Sequence, residues 1–127
     1  MISLTSLANA LSANVALNDI AAFFTGPQVA QGTEGTWFVS GTVLLSNPGV
    51  ASECDVKLWD GTTVIASANV NLSGTPTIGS VALSGVITSP AGNLRISAKC
   101  IDSVLAVIAA NLTGEGNDST ITAVRIA

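Results

Sequence analysis

The 127-residue chain has no histidine and no tyrosine, and only 9% of it is charged, four Lys or Arg against eight Asp or Glu. Without histidine, acid–base chemistry near neutral pH falls to carboxylates. Lys57, Arg95, Lys99 and Arg125 are too few for a phosphate-binding patch, and a net charge of −4 argues further against a nucleic-acid partner. Two cysteines, Cys54 and Cys100, make neither a disulfide framework nor a zinc-ligand pattern. Long apolar runs are missing as well. The longest, Val104 to Ala110, is far shorter than the roughly 20 residues of a membrane-spanning helix. Residues 1–56 contain no Lys or Arg to form the positive start of a secretory leader.

What is present is apolar surface in excess. Hydrophobic residues make up 48% of the chain and mean hydropathy is +0.60. With no membrane segment to absorb that surplus, the expectation is burial against other copies or other chains, with Ser, Thr, Asn and Gly supplying solubility. One domain is expected at this length.

From Asn14 onward the punctuation is that of an all-β protein. Breaks fall at Thr25-Gly26-Pro27, 32–35, Asn47-Pro48-Gly49, Asp60-Gly61, Ser73-Gly74-Thr75-Pro76, 89–93 and 114–117. Candidate strands lie between them at 14–18, 20–24, 36–46, 53–59, 62–72, 78–88, 93–101, 104–112 and 119–126. Asp60-Gly61 suits a two-residue hairpin turn, whose central positions want positive φ, so its flanking strands should be antiparallel. Cys54, Val56 and Leu58 alternate with Asp55, Lys57 and Trp59, and Leu94, Ile96, Ala98 and Cys100 with Arg95, Ser97 and Lys99, as in a sheet packed on one side. Residues 104–110 and much of 37–45 are apolar on both faces, which suggests cover from an opposing sheet and from a subunit partner. Leu4, Leu7, Ala8 and Leu11 recur at helical spacing, so residues 1–20 read as a short helix or as an arm that orders on a neighbour. Residues 21–127 form the sandwich. Such strands, with turn signals about every ten residues, predict an antiparallel β-sandwich of jelly-roll type with about eight strands and no βαβ units.

Several residues invite a chemical reading. Glu53 and Asp55 share a strand face near Asp60, yet no second chemical partner accompanies them, and a solvated strand edge with turn acids is the simpler account. Gly114-Glu115-Gly116-Asn117-Asp118 offers oxygen ligands on a glycine-rich turn, but not at EF-hand spacing, and reads as a β-turn. Trp59 should point away from the core, to pack under a loop, meet a subunit or stack on a glycan. Trp37, Phe23, Phe24 and Phe38 read as core. Cys54 and Cys100 fall on the apolar register, as buried free thiols or a cross-strand disulfide. Neither a catalytic residue, a cofactor nor a metal is expected. Asn71, Asn111 and Asn117 head glycosylation-like triplets of the kind that Ser/Thr-rich chains produce by chance.

Four stretches carry a resemblance. They are Phe24 to Val43, centred on Gly35-Thr36-Trp37-Phe38-Val39; Lys57-Leu58-Trp59-Asp60-Gly61-Thr62-Thr63-Val64-Ile65-Ala66-Ser67; Ser89-Pro90-Ala91-Gly92-Asn93-Leu94-Arg95-Ile96-Ser97; and Asp118-Ser119-Thr120-Ile121-Thr122-Ala123-Val124-Arg125-Ile126. In this order they resemble the jelly-roll module of tailed-bacteriophage virion proteins, while residues 1–23 depart from it. The resemblance implies a trimer without catalytic residues, either decorating the head or ending a fibre. The short segment ahead of the module favours a capsid decoration (cement) protein on the outer surface of the virion, bridging major capsid protein subunits; a receptor-binding tip of a tail fibre is the alternative. Trp37, Val39, Val43, Val107, Ile108, Val124 and Ile126 are then expected at the homotrimer interface, and Leu4, Leu7, Leu11 and Val15 at the capsid. Deleting residues 1–20 is expected to leave a soluble trimer without capsid binding.

Overall fold

β-Branched and small polar residues alternate through most of the chain, and the pleat of a strand sends them to opposite faces. The computed structural model describes residues 5–48, 51–74 and 77–127, so Leu4 and the turn positions Gly49, Thr75 and Pro76 lie outside the described residues. Among the described residues there are ten strands: β1 (Ser6–Ala10), β2 (Val15–Leu17), β3 (Phe24–Val29), β4 (Thr36–Ser46), β5 (Ser52–Trp59), β6 (Val64–Leu72), β7 (Ile78–Thr88), β8 (Leu94–Cys100), β9 (Ala106–Ile108) and β10 (Thr120–Arg125). All their pairings are antiparallel. They form a β-sandwich of jelly-roll type, one sheet with six strands and one with four in the order β3-β8-β5-β6.

β4 is the spine of the six-stranded sheet. One edge pairs with β7 along its whole length, from Thr36↔Thr88 to Ser46↔Ile78. The other edge is shared, by β10 over Trp37 to Thr42 and by β9 at Leu45 and Ser46. β1 flanks β10 and β2 flanks β9. Trp37, Val39, Val43 and Leu45 point inward from β4 and meet Val56 and Leu58 of β5 and Leu94, Ile96 and Ala98 of β8 in one buried core. Each Val, Leu or Ile among them, fully buried, contributes about 1.5–3 kcal/mol. Gly41 takes the middle inward position because a Cβ there would come within 2.5 Å of the Thr120 carbonyl oxygen on β10 and 2.6 Å of the Ile96 δ-carbon from the opposite sheet.

The start of the chain differs from the helix or arm expected of it. Ser6 to Ala10 form a strand on the free edge of β10, and Val15 to Leu17 pair with β9. Leu7 and Leu11 fit a helical period, but a short isolated helix is marginal in water, whereas an unpaired strand edge offers a full ladder. Leu17 is completely buried, so removing residues 1–20 would open the core as well as strip two strands. Thr25-Gly26-Pro27, expected as a break, lies inside β3 at a shift of register between Thr25 and Gln28. Proline is tolerated there because β3 is an edge strand and the bulge asks no N–H of it. The expected strand 104–112 shortens to Ala106–Ile108.

The hairpin around Asp60 is antiparallel as expected, but its turn is longer. β6 begins at Val64, leaving four residues between the strands, and Gly61 adopts φ +94° while Asp60 does not adopt positive φ. Cys54 and Cys100 stand directly opposite each other in the β5–β8 ladder and are joined as a disulfide, which decides between the two readings of these thiols. The link closes a loop across a sequence separation of 46. Replacing both by Ala should lower the free energy of unfolding by about 2–4 kcal/mol, read from urea midpoints of the oxidised protein. An unchanged midpoint would mean that the ladder alone holds these strands.

Candidate functional site

The alternation that builds the core also builds an outer face. On the six-stranded sheet, Ser6, Val124, Phe38 and Val86 form one cross-strand row, Ala8, Thr122, Ser40 and Ser84 the next, and Ala10, Thr120, Thr42 and Ala82 a third. None of these residues is charged. Arg125 is the one charged residue in the six strands, and it occupies the last position of β10, opposite the inward Trp37. Phe38 is 43% exposed, Val86 54% and Ile126 51%, with Val124 half-buried between strands. A shallow depression of about 410 Å3 lies beside them, lined by Phe38, Ser40, Thr42, Ser84, Thr120 and Thr122.

This placement redistributes the expected interface residues. Trp37, Val39, Val43 and Ile108 are buried in the sandwich core and have no surface left for a second chain. Val107 and Val124 are half-buried and Ile126 is exposed. Trp37 and Phe38 were both expected inside, but neighbours in a strand face opposite ways, and Phe38 is the one that faces out. Of the expected capsid contacts, Leu7, Leu11 and Val15 pack against the core from the sheet margin.

The outer face of the four-stranded sheet has the opposite character. It carries Glu53, Asp55, Lys57, Arg95 and Lys99, three of the chain's four basic residues among them. The Lys57 ammonium sits 4.0 Å from the Phe23 ring centre and 3.6 Å from that of Trp59, and Lys99 approaches Phe23 at 4.8 Å. Such contacts are worth about 0.5–1 kcal/mol each at exposed sites. The Trp59 indole N–H donates to Ser97 Oγ at 2.8 Å. Trp59 is thus a packing residue whose ring is covered by a lysine of its own strand. Phe23 belongs to this outer layer and not to the core, while Phe24 packs against the core from its margin.

Asp60, Asp102 and Asp118 are occupied with backbone amides. Asp60 is buried, its Oδ1 accepting from the amides of Thr62 and Thr63 at 2.8 and 2.6 Å and its Oδ2 from that of Ala91 at 2.8 Å. Burial alone would raise its pKa, but these hydrogen bonds outweigh it and hold the carboxyl below the ordinary aspartate value. Glu53 and Asp55 both accept from the Asn69 side-chain Nδ2, at 2.9 and 2.8 Å. Asp118 accepts from the Thr113 hydroxyl at 2.6 Å and from the amides of Leu112 and Thr113, and the Thr113 hydroxyl first of all pulls its pKa down. The glycine-rich turn at 114–118 is therefore shaped by Asp118 with Asn111, which accepts from Gly116 N at 2.7 Å. Asp102 accepts from the Ser52 hydroxyl at 2.6 Å, which with the Glu53 amide lowers its pKa.

Known structures share this architecture. The PRD1 vertex protein P5 superposes with a TM-score of 0.51 at 15% identity, over 98% of this chain and 96% of that one. The likeness is one of fold. The Eiger TNF of S. frugiperda gives 0.50 at 11% identity, covering 96% and 85%. The C-terminal CBM6 of LamC, a laminarinase from Zobellia galactanivorans, gives 0.44 at 12%, covering 98% and 100%. No family model matches the sequence, and a search of curated proteins returns no similar chain.

Asp60 provides a direct test of the backbone role of these acids. In Asp60→Asn an amide N–H would face that of Ala91, and the cost should be about 1–3 kcal/mol at pH 7. Because the folded pKa is depressed, the wild-type advantage is complete above the unfolded value near pH 4 and fades as pH falls through the lower folded value. Urea melts of both proteins at neutral and acid pH check this. A deficit independent of pH would assign the cost to something other than the carboxylate.

Proposed function

We propose that the chain is a structural protein of a bacteriophage virion, a non-enzymatic decoration protein that sits on the outer capsid surface as a homotrimer and clamps neighbouring major capsid protein subunits. The observation that carries this reading is the charge-free outer face of the six-stranded sheet, a surface suited to packing rather than to chemistry. The four stretches that resemble tailed-phage modules support it, as does a jelly-roll fold of the kind found in the PRD1 vertex protein P5. The non-enzymatic part draws support from Asp60, Asp102 and Asp118, each bonded to backbone amides that fix a turn or strand start. The mechanism is mechanical: three footprints engaged together convert modest contacts into high avidity and hold subunits against outward pressure.

The half-buried Leu7, Leu11 and Val15 leave the capsid footprint to neighbouring exposed residues. Leu17 pairs with Ala106, so the segment leaving β2 and the segment entering β9 start from the same edge, and they carry Ile20, Val104 and Leu105, the last 62% exposed. This apolar margin is the footprint we assign. Purified protein should co-sediment with capsids that lack it, and Leu105→Asp together with Val104→Asp should reduce binding at least about tenfold. Full binding by the double variant would overturn the footprint. Failure of the wild type to bind capsids, with binding to host cells in its place, would overturn decoration in favour of a fibre tip.

A further inference from the structure

We infer that copies of this chain meet through the uncharged outer face of the six-stranded sheet, with Phe38, Val86, Val124 and Ile126 at the centre of the contact. The inference rests on the homotrimer in the reading above and names its surface; capsid binding is a separate matter. Twelve residues of the chain are charged, and five of them lie in strands of the four-stranded sheet. Arg125 alone lies in the other sheet, in the inward register. Symmetry explains why this partition favours a second copy over an unlike partner. In a ring of three identical copies, side chains close to the axis converge with their own counterparts, so a charge there meets like charges, whereas contact with a different protein can use charge as complement.

The composition agrees with that geometry. An exposed aromatic with aliphatic neighbours, surrounded by Ser and Thr and free of Lys, Asp and Glu, has the make-up of an interface core. The small side chains around the Gly41 depression leave room for a side chain from another copy. Laid flat, β1, β10, β4 and β7 present roughly 500 Å2, which a trimer shares between two neighbours, so the face supplies the apolar centre of each contact rather than the whole of a standard interface of ~800 Å2 per partner. Burying this face in the assembly would account for the apolar surplus and leave the charged face of the four-stranded sheet to solvent.

The test is the solution mass of the full chain and of variants that place a charge on either face. The wild type should be a trimer of 12.6-kDa chains. Phe38→Lys and Thr122→Lys should weaken association at least about 100-fold, since like charges placed together cost several kcal/mol. Ser67→Lys, on the opposite sheet, should stay trimeric. A further variant guards against misfolding: Thr122→Cys should give chains cross-linked to one another on mild oxidation, and Ser67→Cys should not. Monomeric wild type at high concentration, or trimers that persist in Phe38→Lys and Thr122→Lys with no Thr122→Cys cross-link, would overturn the inference. Capsid co-sedimentation measured on the same variants separates the two proposals, because a monomer that still binds capsids removes the interface partner but not the decoration role.

Discussion

The register of β4 is the constraint on which the rest of the molecule depends. This strand pairs with three others, and its odd-numbered positions from Trp37 to Leu45 face the core. A slip of one residue would turn Trp37, Val39, Val43 and Leu45 to the outside and bring Phe38, Ser40 and Thr42 in, so the hydrophobic pattern fixes the pairing strongly. Gly41 tightens the lock, since the Thr120 carbonyl and Ile96 of the facing sheet occupy the space that a side chain would need. Once β4 is placed, β10 and β7 inherit their faces from it, and so does the charge-free surface.

That surface and the charged one are two solutions to the same problem. Each sheet has one face to cover and one to leave outside. The four-stranded sheet does it with lysines laid over aromatic rings, which keep Phe23 and Trp59 out of water while presenting ammonium groups. The six-stranded sheet has no such cover, and Phe38, Val86 and Ile126 stay open in the isolated chain. The contrast lies within one sandwich, so the chain's general poverty in charge does not account for it.

Much of the fold was legible from the residues. β4 and β7 have the bounds that turn residues imply, and β5, β8 and β10 differ from expectation by a residue or so at their ends, because Gly, Pro and Asp punctuate them clearly. Two kinds of information were not legible. A doubly apolar strand does not say which parity faces the core, and for that reason Trp37, Val39, Val43 and Ile108 were expected at an interface while Phe38 was expected inside. Pairing partners were hidden too: β1 and β10 stand at opposite ends of the chain with eight strands between them, and the ladder that β10 offers decides the fate of Leu7 and Leu11. The one available signal for Phe38 was its neighbour, because two adjacent aromatics in one strand cannot share a face.

The four stretches that carry the phage resemblance meet at one end of the sandwich. Asp60 accepts from Ala91, Ser89 N donates to Gly35 O, and Thr36 exchanges backbone bonds with Ile126 and Ala127. These are positions where the backbone leaves strand geometry, with Gly35 and Gly61 at positive φ and Ser89 at φ 52°, so few residue types serve there. The outer face of the six-stranded sheet imposes no such limit. A face built to meet its own copy needs only to be flat, uncharged and apolar at its centre, and Ser, Thr, Ala and Val satisfy that in many orders. The turn residues of those stretches therefore mark the end of the sandwich that the fold constrains, while the outer face, although two of the stretches run through it with Phe38, Thr122 and Val124, is distinguished only by the absence of charge, and becomes visible once the register of β4 says which residues share a side.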